Sequence, residues 1–326
     1  MRLAVIGGGA WGTALASHAV RAGLDTRIWV REPELVDAMA VRRENPLYLP
    51  GVALPEGMRP TTSLGDAVAE AETLVVAVPS EYCRATFAEL AARAEPSAVL
   101  VSATKGLETD TLRRMSEVAA AEAPGRALAV LSGPSFAAEV ARQLPTAVVV
   151  ASADHALAER VQRTLSTRSF RVYSSEDVTG VELAGAVKNV IAIAAGIVDG
   201  LGYGHNTVAA LITRGLAEIS RLAVALGGRP DTLAGLAGLG DLVLTCTGSL
   251  SRNRTVGQRL GRGQSLAEAA AGIHPEGVRT TLATAALAER HGIDMPIVRQ
   301  MKAVLYEGKP PREALEELML RSLKRE

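Results

Sequence analysis

The strongest constraint on the fold is a glycine-rich loop that directly follows the first apolar run. Residues 3–7 read LAVIG, and residues 7–12 read Gly-Gly-Gly-Ala-Trp-Gly, a G-x-G-x-x-G pattern that opens a helical sequence. In this pattern Gly7 makes the tight turn, Gly9 lets the backbone approach a pyrophosphate, and Gly12 lets the helix pack closely on the strand. The N–H groups and positive dipole end of that helix favour an anion. The sequence therefore predicts a dinucleotide site at the start of the chain.

Short runs of β-branched and aliphatic residues alternate with helical patterns up to about residue 175. The strand candidates are residues 3–7, 26–30, 73–78, 98–102, 128–132, 147–151 and 170–174. Runs that are apolar almost throughout are typical of strands covered on both faces, as in parallel sheets with crossover helices. We therefore predict an α/β fold whose first domain, residues 1–176, is an N-terminal Rossmann-like doubly wound sheet.

The pattern changes to helices in the second half of the chain. Helical periodicity is found near residues 177–199, 206–226, 265–271, 276–291, 295–306 and 311–323. The glycine-rich stretch 233–242 and the polar loop 247–254 are predicted as irregular insertions. Residues 177–326 are thus predicted to form an all-helical C-terminal domain that binds the substrate.

The composition excludes several classes of function. Lys and Arg together number 35, as do Asp and Glu, so no net charge draws the chain to nucleic acid. The only two cysteines, Cys83 and Cys246, lie far apart, which excludes a disulfide framework and a four-ligand metal site. We expect a cytoplasmic protein without a bound metal.

Neither apolar segment of the chain is interpreted as a membrane or export signal. Glycines interrupt the apolar N-terminus, which is explained as a strand and the start of a helix. The apolar stretch 183–198 contains Lys188 and Asn189 and is shorter than the ~20 residues of a membrane span. It is predicted to be a buried helix, without stable membrane insertion.

The end of the second predicted strand bears on the choice of cofactor. An acidic residue at this point takes the ribose hydroxyl of NAD, whereas an arginine accommodates the extra phosphate of NADP. The sequence has Val30-Arg31-Glu32. Arg31 favours NADPH, and Glu32 leaves NADH open.

Lys188 is the most unusual residue of the second half, because its helix is otherwise apolar or tiny on every side. An unpaired ammonium there is costly, so it needs a partner, a cleft or a lowered pKa. Small residues on the same helical face leave room for a ligand. The alternatives are a lysine that snorkels to the surface or a structural pair with Asp199.

Two further regions carry polar residues suited to a phosphorylated ligand. Lys105 follows one predicted strand, and the segment around Gly133 and Ser135 follows the next, where ligands of open α/β sheets bind. In the second half Asp241 ends a glycine-rich turn, and residues 251–253 combine a hydroxyl, a guanidinium and an amide that suit a phosphate monoester. Alternatively the latter is a solvated basic loop.

Seven blocks of this sequence resemble those of the bacterial NAD(P)-dependent glycerol-3-phosphate dehydrogenases. They are GGGAWGTALA, SATKGLE, SGPSFAAEV, ELAGAVKNVIAIAAGI, GLGDLVLTCTG, SRNR and PEGVRTT, in family order between residues 7 and 281. The resemblance implies a Rossmann domain followed by a helical domain. It also implies the reversible reduction of dihydroxyacetone phosphate to sn-glycerol 3-phosphate, which supplies phospholipid synthesis, and a small-molecule substrate in a possible homodimer.

The resemblance also implies roles for individual residues. The implied cofactor contacts are Gly9, Ala10, Trp11, Arg31, Tyr48, Lys105, Ala137, Arg252, His274 and Glu276. The implied substrate contacts are Lys105, Gly133, Ser135, Lys188, Asp241, Ser251, Arg252 and Asn253. Lys188 corresponds to the residue that transfers the proton. Asp241 either orients Lys188 or binds a substrate hydroxyl.

Other functions fit parts of the sequence. A β-hydroxyacid dehydrogenase of similar build would act on a carboxylate, and a non-catalytic dinucleotide sensor would bind NADPH without turnover. Lys188 could also form a Schiff base, and Cys246 could act as a thiol nucleophile. A Schiff base would leave the dinucleotide site without a purpose, and no histidine lies near Cys246 in the sequence.

Overall fold

A computed structural model describes residues 1–322, which form two compact units. The first unit comprises residues 1–105 and 113–182, and the second comprises residues 106–112 and those from 183 onward. The predicted limit between residues 176 and 177 thus differs from the observed division, which lies inside a helix. Residues 106–112 belong to the second unit because Leu107 is buried in its apolar core.

The first unit is a sheet of eight strands with seven α-helices. The strands are β1 (Arg2–Ile6), β2 (Asp25–Trp29), β3 (Arg59–Thr61), β4 (Thr73–Val76), β5 (Val99–Ser102), β6 (Leu128–Ser132), β7 (Thr146–Ala151) and β8 (Phe170–Ser175). The helices are α1 (Ala10–Arg21), α2 (Pro33–Asp37), α3 (Leu64–Val68), α4 (Cys83–Arg93), α5 (Met115–Glu122), α6 (Ala137–Ala141) and α7 (His155–Leu165). Short π-helical and 3₁₀ turns occupy Ala38–Arg42 and Ser80–Tyr82.

The strand order confirms the predicted Rossmann-like sheet. It runs β3-β2-β1-β4-β5-β6-β7-β8, and its first six strands have the order of a dinucleotide-binding fold. Neighbours pair in parallel except β6 and β7, which are antiparallel. All seven predicted strands are present. The sequence missed β3, whose residues Arg-Pro-Thr have no apolar pattern.

Alternate side chains of the central strand enter two separate apolar cores, one on each face of the sheet. Leu3 and Val5 of β1 lie in one core, and Ala4 and Ile6 lie in the other. All four are essentially inaccessible to solvent. This double coverage explains why the strand runs are apolar at successive positions.

The second unit consists of helices. They are α8 (Val178–Gly200), which begins in the first unit, α9 (His205–Ala225), α10 (Pro230–Ala234), α11 (Asp241–Thr247), α12 (Arg252–Gly261), α13 (Leu266–Ala269), α14 (Glu276–Arg290), α15 (Pro296–Tyr306) and α16 (Pro311–Met319). The prediction of a helical second half is confirmed. The predicted last helix extended to Leu323, which lies outside the described residues.

The prediction that 233–242 is irregular is wrong, and the prediction for 247–254 holds only for residues 248–251. The first stretch is helical, with a π-helical turn over Leu236–Gly240 between α10 and α11. A Cβ on Gly238 would lie 2.1 Å from the Leu233 carbonyl oxygen, so glycine permits the tight turn here instead of breaking the helix. In the second stretch, α12 already begins at Arg252.

Helix α8 is the central helix of the second unit's core. Its 23 residues are long and apolar enough to cross a membrane, so the length argument made for residues 183–198 does not hold for the whole helix. Its most apolar 18-residue window is entirely buried inside the protein. The observed burial therefore supports the prediction of a core helix.

A buried carboxylate of α9 caps the N-terminus of α15. Glu218 of α9 is 1% exposed and accepts hydrogen bonds from the backbone N–H groups of Ile297 (2.7 Å) and Val298 (3.2 Å). These are donors that a helix leaves unsatisfied at its first turn. Burial raises the pKa of Glu218 to about 7, against the opposing effect of the two N–H groups and Arg221. Nearby Asp294 adds to the rise.

This pKa makes the stability depend on pH. The folded carboxyl titrates near 7 and the unfolded one near 4.5, so the folded state binds more protons between these values and loses stability as pH rises through them. Between pH 5 and 8 we expect the free energy of unfolding of the wild type to fall by roughly 3 kcal/mol relative to that of Glu218→Gln. Urea unfolding at each pH measures this, with exposed Glu289→Gln as control. A wild-type-to-Gln difference that is constant with pH would contradict the prediction.

Candidate functional site

The glycine loop has the geometry that its sequence predicts. Gly7 has φ +124°, a conformation that favours glycine. A Cβ on Gly12 would lie 1.9 Å from the Gly7 carbonyl oxygen, so helix and loop touch there. A Cβ on Gly9 would meet nothing within 4 Å. The loop is closed on its protein side and open at Gly9, which fits the approach of a dinucleotide pyrophosphate.

The loop is also held by Asn45, a residue that the sequence did not single out. Its side-chain amide donates to the Gly8 carbonyl oxygen and to Thr13 Oγ1, both at 2.8 Å. Its own oxygen accepts from the Tyr48 backbone N–H at 3.0 Å. Its position three residues before Tyr48, a predicted cofactor contact, is the only sequence signal for it, and that signal is weak.

Arg31, Glu32 and Tyr48 form one cluster after β2. Arg31 Nε and Nη2 donate to Glu32 Oε1 at 3.2 and 3.0 Å, and the Tyr48 hydroxyl donates to the same oxygen at 2.9 Å. Burial alone would raise the pKa of Glu32, but hydrogen bonds from Tyr48 and Arg31 outweigh it and the pKa lies below its usual value. The pKa of Tyr48 is raised chiefly by burial and secondly by its hydrogen bond to Glu32. The site thus presents a carboxylate and an exposed guanidinium side by side.

The ends of β5 and β6 meet at the Gly133 carbonyl oxygen. Lys105 Nζ and Ser135 Oγ both donate to this oxygen at 2.9 Å. Three of the predicted substrate residues therefore lie together. Ala137 begins α6 two residues further on and, like Ala10 and Trp11, packs against the apolar core beside the glycine loop.

In the second unit, Lys188 lies in a buried polar cluster. Its ammonium donates to Asp241 Oδ1 and, at 2.7 Å, to Thr245 Oγ1. The Thr245 hydroxyl donates in turn to the Asp241 carbonyl oxygen at 2.6 Å. Lys188 is 6% exposed and Asp241 1%. The carboxylate offsets the cost of burying the ammonium, and Thr245, which the sequence missed, adds a second acceptor.

The two structural alternatives for Lys188 are wrong. Its side chain does not snorkel to the surface, because it is almost completely buried. Asp199 instead accepts from Arg254 Nη2 at 2.8 Å and from the Gln258 amide. The sequence correctly places Asp199 on the same helix as Lys188. It cannot show that an acidic residue of another helix, Asp241, faces the amine.

The start of α12 brings together the predicted phosphate residues. Ser251 caps the helix by accepting from the Arg254 N–H at 3.2 Å, and the Arg252 side chain is exposed. Asn253 is buried, and its amide donates to Asn189 Oδ1 at 2.9 Å and accepts from the Gly277 N–H at 3.0 Å. Arg252 is therefore accessible to a ligand. Asn253 instead links α12 to α8 and α14 through its side-chain amide.

The remaining predicted residues differ in their surroundings. His274 is exposed, and Glu276 is the half-buried first residue of α14. Cys246 is buried, and burial raises the pKa of its thiol to about 12 despite the nearby charge of Lys188. A thiolate nucleophile is thus disfavoured. Within residues 1–322 no three His, Cys, Asp or Glu side chains are grouped to hold a metal.

Close contact between α8 and α12 fixes the position of the Ser251–Asn253 segment. Both helices carry two glycines four residues apart at the contact: Gly196, Gly200, Gly257 and Gly261. A Cβ on Gly196 would lie 2.0 Å from the Arg254 carbonyl oxygen, and one on Gly257 would lie 2.0 Å from that of Ile193. Only glycine allows the backbones to approach this closely, which brings the N-terminus of α12 to Asn189 of α8.

Two family models match the chain in order. The NAD-dependent glycerol-3-phosphate dehydrogenase N-terminus matches residues 2–158, and the C-terminus of the same family matches residues 177–316.

Relatives with this name cover the whole chain. Glycerol-3-phosphate dehydrogenase (NAD(P)+) from Geobacter sulfurreducens is 53% identical over 100% of this chain and 98% of that protein. The protein of that name from Nitratidesulfovibrio vulgaris strain DP4 is 53% identical over 100% of both. The crystal structure of glycerol-3-phosphate dehydrogenase from Coxiella burnetii is similar with a TM-score of 0.94 and 42% identity, over 98% and 99% of the two chains.

The contact between α8 and α12 can be tested with Gly257→Ala. The added Cβ must push the helices apart, and overpacking of this kind costs ~1–3 kcal/mol or more. We expect the thermal midpoint to fall by about 5 °C or more. The control is Gly65→Ala in α3, where the Cβ would meet only Ser63 Oγ at 3.9 Å. Equal midpoints for the two variants would contradict the role of the contact.

Proposed function

Since the chain belongs to the glycerol-3-phosphate dehydrogenase family, we propose that Lys188 is the acid–base group of the reaction that this family catalyses. The resemblance found in the motifs is thereby confirmed. The chain is an NAD(P)-dependent oxidoreductase that interconverts dihydroxyacetone phosphate and sn-glycerol 3-phosphate. Family membership decides against the β-hydroxyacid dehydrogenase and the non-catalytic sensor. The observation that carries the role of Lys188 is its buried cluster with Asp241 and Thr245.

The chemistry needs a proton donor at the carbonyl oxygen of the substrate. The bound reduced nicotinamide supplies the hydride to the carbonyl carbon. Lys188 donates a hydrogen bond to the oxygen and then a proton, as negative charge develops on it. In the reverse direction the neutral amine accepts the proton of the alcohol. Asp241 and Thr245 hold the amine in place, which supports an orienting role for Asp241 over binding of a substrate hydroxyl.

The phosphate group of the substrate is assigned to the positively charged residues of the predicted set. Arg252 is exposed at the start of α12, and its planar guanidinium matches two phosphate oxygens. Ser251 and Asn253 order the backbone on either side of it. Lys105, held with Ser135 on the Gly133 carbonyl, adds an ammonium group for an anionic ligand.

The cofactor would be held by the glycine loop and by the cluster after β2, and we propose a preference for NADPH. The open face of Gly9 accepts the pyrophosphate. The Arg31 side chain, 67% exposed, is available to a ribose 2′-phosphate. Glu32 opposes this preference, because its carboxylate both engages Arg31 and repels a second anion. Trp11, Ala137, His274 and Glu276 stay predicted contacts.

The further assignments concern the setting of the enzyme. We place it in the cytoplasm, which the two buried thiols of Cys83 and Cys246 support, and without membrane insertion, which the burial of α8 supports. A homodimer is supported by exposed Met319 and Leu320, which line a groove with Tyr203, and sedimentation velocity distinguishes it from a monomer. We also propose that the enzyme supplies glycerol 3-phosphate for phospholipid synthesis. Added glycerol 3-phosphate should then restore growth to cells depleted of the enzyme.

Replacement of Lys188 tests the mechanism. We expect Lys188→Ala to lower kcat by ~100-fold or more, because it removes the positioned acid–base group, while NADPH still binds. NADPH oxidation with dihydroxyacetone phosphate gives kcat, and fluorescence titration gives Kd. Lys302→Ala, on a half-buried surface lysine paired with Glu307, is the control.

A Lys188→Ala variant that keeps more than about a tenth of wild-type turnover would exclude the assignment. The single variant leaves Asp241 buried without its counter-charge, which destabilises the fold. Lys188→Met combined with Asp241→Asn removes both charges together and gives a folded protein for the same assay. Borohydride trapping with substrate tests the Schiff-base alternative in the wild type.

Replacement of Glu32 tests the cofactor preference. Glu32→Gln removes the charge that repels a 2′-phosphate, so the ratio of kcat/KM for NADPH to that for NADH should rise about tenfold. Arg31→Ala should lower this ratio by about the same factor. Exposed Glu34→Gln on α2 is the matched control for the first variant. A ratio that is unchanged in both variants would mean that this cluster does not select the cofactor.

A further inference from the structure

Asn45 is a completely buried polar side chain outside every predicted site. It is 0% exposed and lies between the π-helical turn that ends at Arg42 and strand β3. Both ends of its amide are used by atoms of the cofactor region. The orientation of the amide is fixed by its partners, because a carbonyl oxygen requires the NH₂ group and a backbone N–H requires the oxygen.

Asn45 closes a triangle of hydrogen bonds around the Gly8 carbonyl oxygen. Its Nδ2 donates to that oxygen and to Thr13 Oγ1. The Thr13 hydroxyl also donates to the Gly8 oxygen, at 3.2 Å. The carbonyl in the middle of the glycine loop is therefore held from two directions inside the protein.

Holding this carbonyl determines which way the next N–H points. The carbonyl of Gly8 and the N–H of Gly9 belong to one planar trans peptide, in which the two groups point in opposite directions. With the oxygen held toward Asn45 and Thr13, the Gly9 N–H must point away from them. A Cβ on Gly9 would meet nothing within 4 Å, so the backbone there is accessible to a ligand.

The other end of Asn45 is connected to the ribose side of the site. Its Oδ1 accepts from the Tyr48 N–H, and the Tyr48 hydroxyl donates to Glu32. A displacement of residues 45–48 would therefore change the loop and the Glu32 carboxylate together.

We propose that Asn45 is a positioning residue for the dinucleotide: it orients the Gly8–Gly9 peptide toward the pyrophosphate and, through Tyr48, holds the Glu32 carboxylate. The proposal depends on the binding of NAD(P) and not on the role of Lys188. A failure of the Lys188 assignment would appear in kcat, whereas a failure of this proposal appears in the affinity for a nucleotide.

The test measures the binding of ADP and NADPH by calorimetry, because ADP contains the diphosphate but no nicotinamide. For Asn45→Ala we expect Kd for both ligands to rise at least tenfold. The KM for dihydroxyacetone phosphate and kcat at saturating NADPH should stay within about twofold of wild type. A purely structural role of Asn45 would lower stability without this selective change in Kd.

A matched pair of threonine variants supplies the control. Thr13 and Thr26 are both fully buried in the first unit, and each donates to a backbone carbonyl, that of Gly8 at 3.2 Å or that of Leu24 at 2.9 Å. Thr13→Val should raise Kd for ADP three- to tenfold. Thr26→Val, the same change away from the loop, should leave it unchanged.

Three results would overturn the proposal. The first is a Kd for ADP within twofold of wild type in Asn45→Ala, and the second is a Kd within twofold of wild type in Thr13→Val. The third is a rise of Kd for ADP in Thr26→Val as large as that in Thr13→Val. If Asn45→Ala does not fold, the two threonine variants decide alone. Asn45→Asp adds a pH test: a buried carboxyl has a raised pKa and donates only when protonated, so affinity for ADP relative to wild type should recover as pH falls.

Discussion

The buried pair of Lys188 and Asp241 is the interaction that fixes how α8 and α11 face each other in the helical unit. An ammonium in an apolar core is tolerated only if a carboxylate and further hydrogen bonds compensate for lost water. Helix α11 supplies both, because Asp241 is its first residue and Thr245 lies one turn later on the same face. The π-helical turn before Asp241 is thus not a defect of the helix but the feature that fixes where α11 begins.

The glycines between α8 and α12 allow a second junction on α8, beside the Lys188 cluster. With the two backbones in contact, the first turn of α12 reaches the turn of α8 that carries Lys188 and Asn189. Asn253 then bonds to Asn189 and to Gly277 at the start of α14. Three helices are consequently joined at Asn253, next to the turn of α8 that carries Lys188.

The sequence predicted well whatever is encoded locally. The apolar runs identified seven strands, and the glycine spacing predicted the turn at Gly7 and the close backbone approach at Gly12 that the structure shows. The failures are of another kind. Glycines at 233–242 suggested a break, because propensity does not show that a close contact stabilises the turn. The partner of Lys188 and the role of Asn45 depend on contacts over more than thirty residues, for which periodicity contains no information.

Two carbonyl groups at strand ends illustrate how one constraint serves different purposes in the first unit. After β1 the Gly8 carbonyl is held by Asn45 and Thr13, and the next residue has an N–H that is thereby presented outward. After β6 the Gly133 carbonyl accepts from Lys105 and Ser135, but the next residue is Pro134, which has no N–H.

At Gly133 the carbonyl therefore cannot present a backbone donor to a ligand. It instead orders the two side chains that converge on it, an ammonium and a hydroxyl. Gly7 and Gly133, each the first residue after its strand, have nearly the same positive φ, +124° and +127°. The held carbonyl, however, belongs to the following residue, Gly8, after β1 and to Gly133 itself after β6. The residue after the carbonyl, Gly9 or Pro134, decides which of the two is available to an anionic ligand.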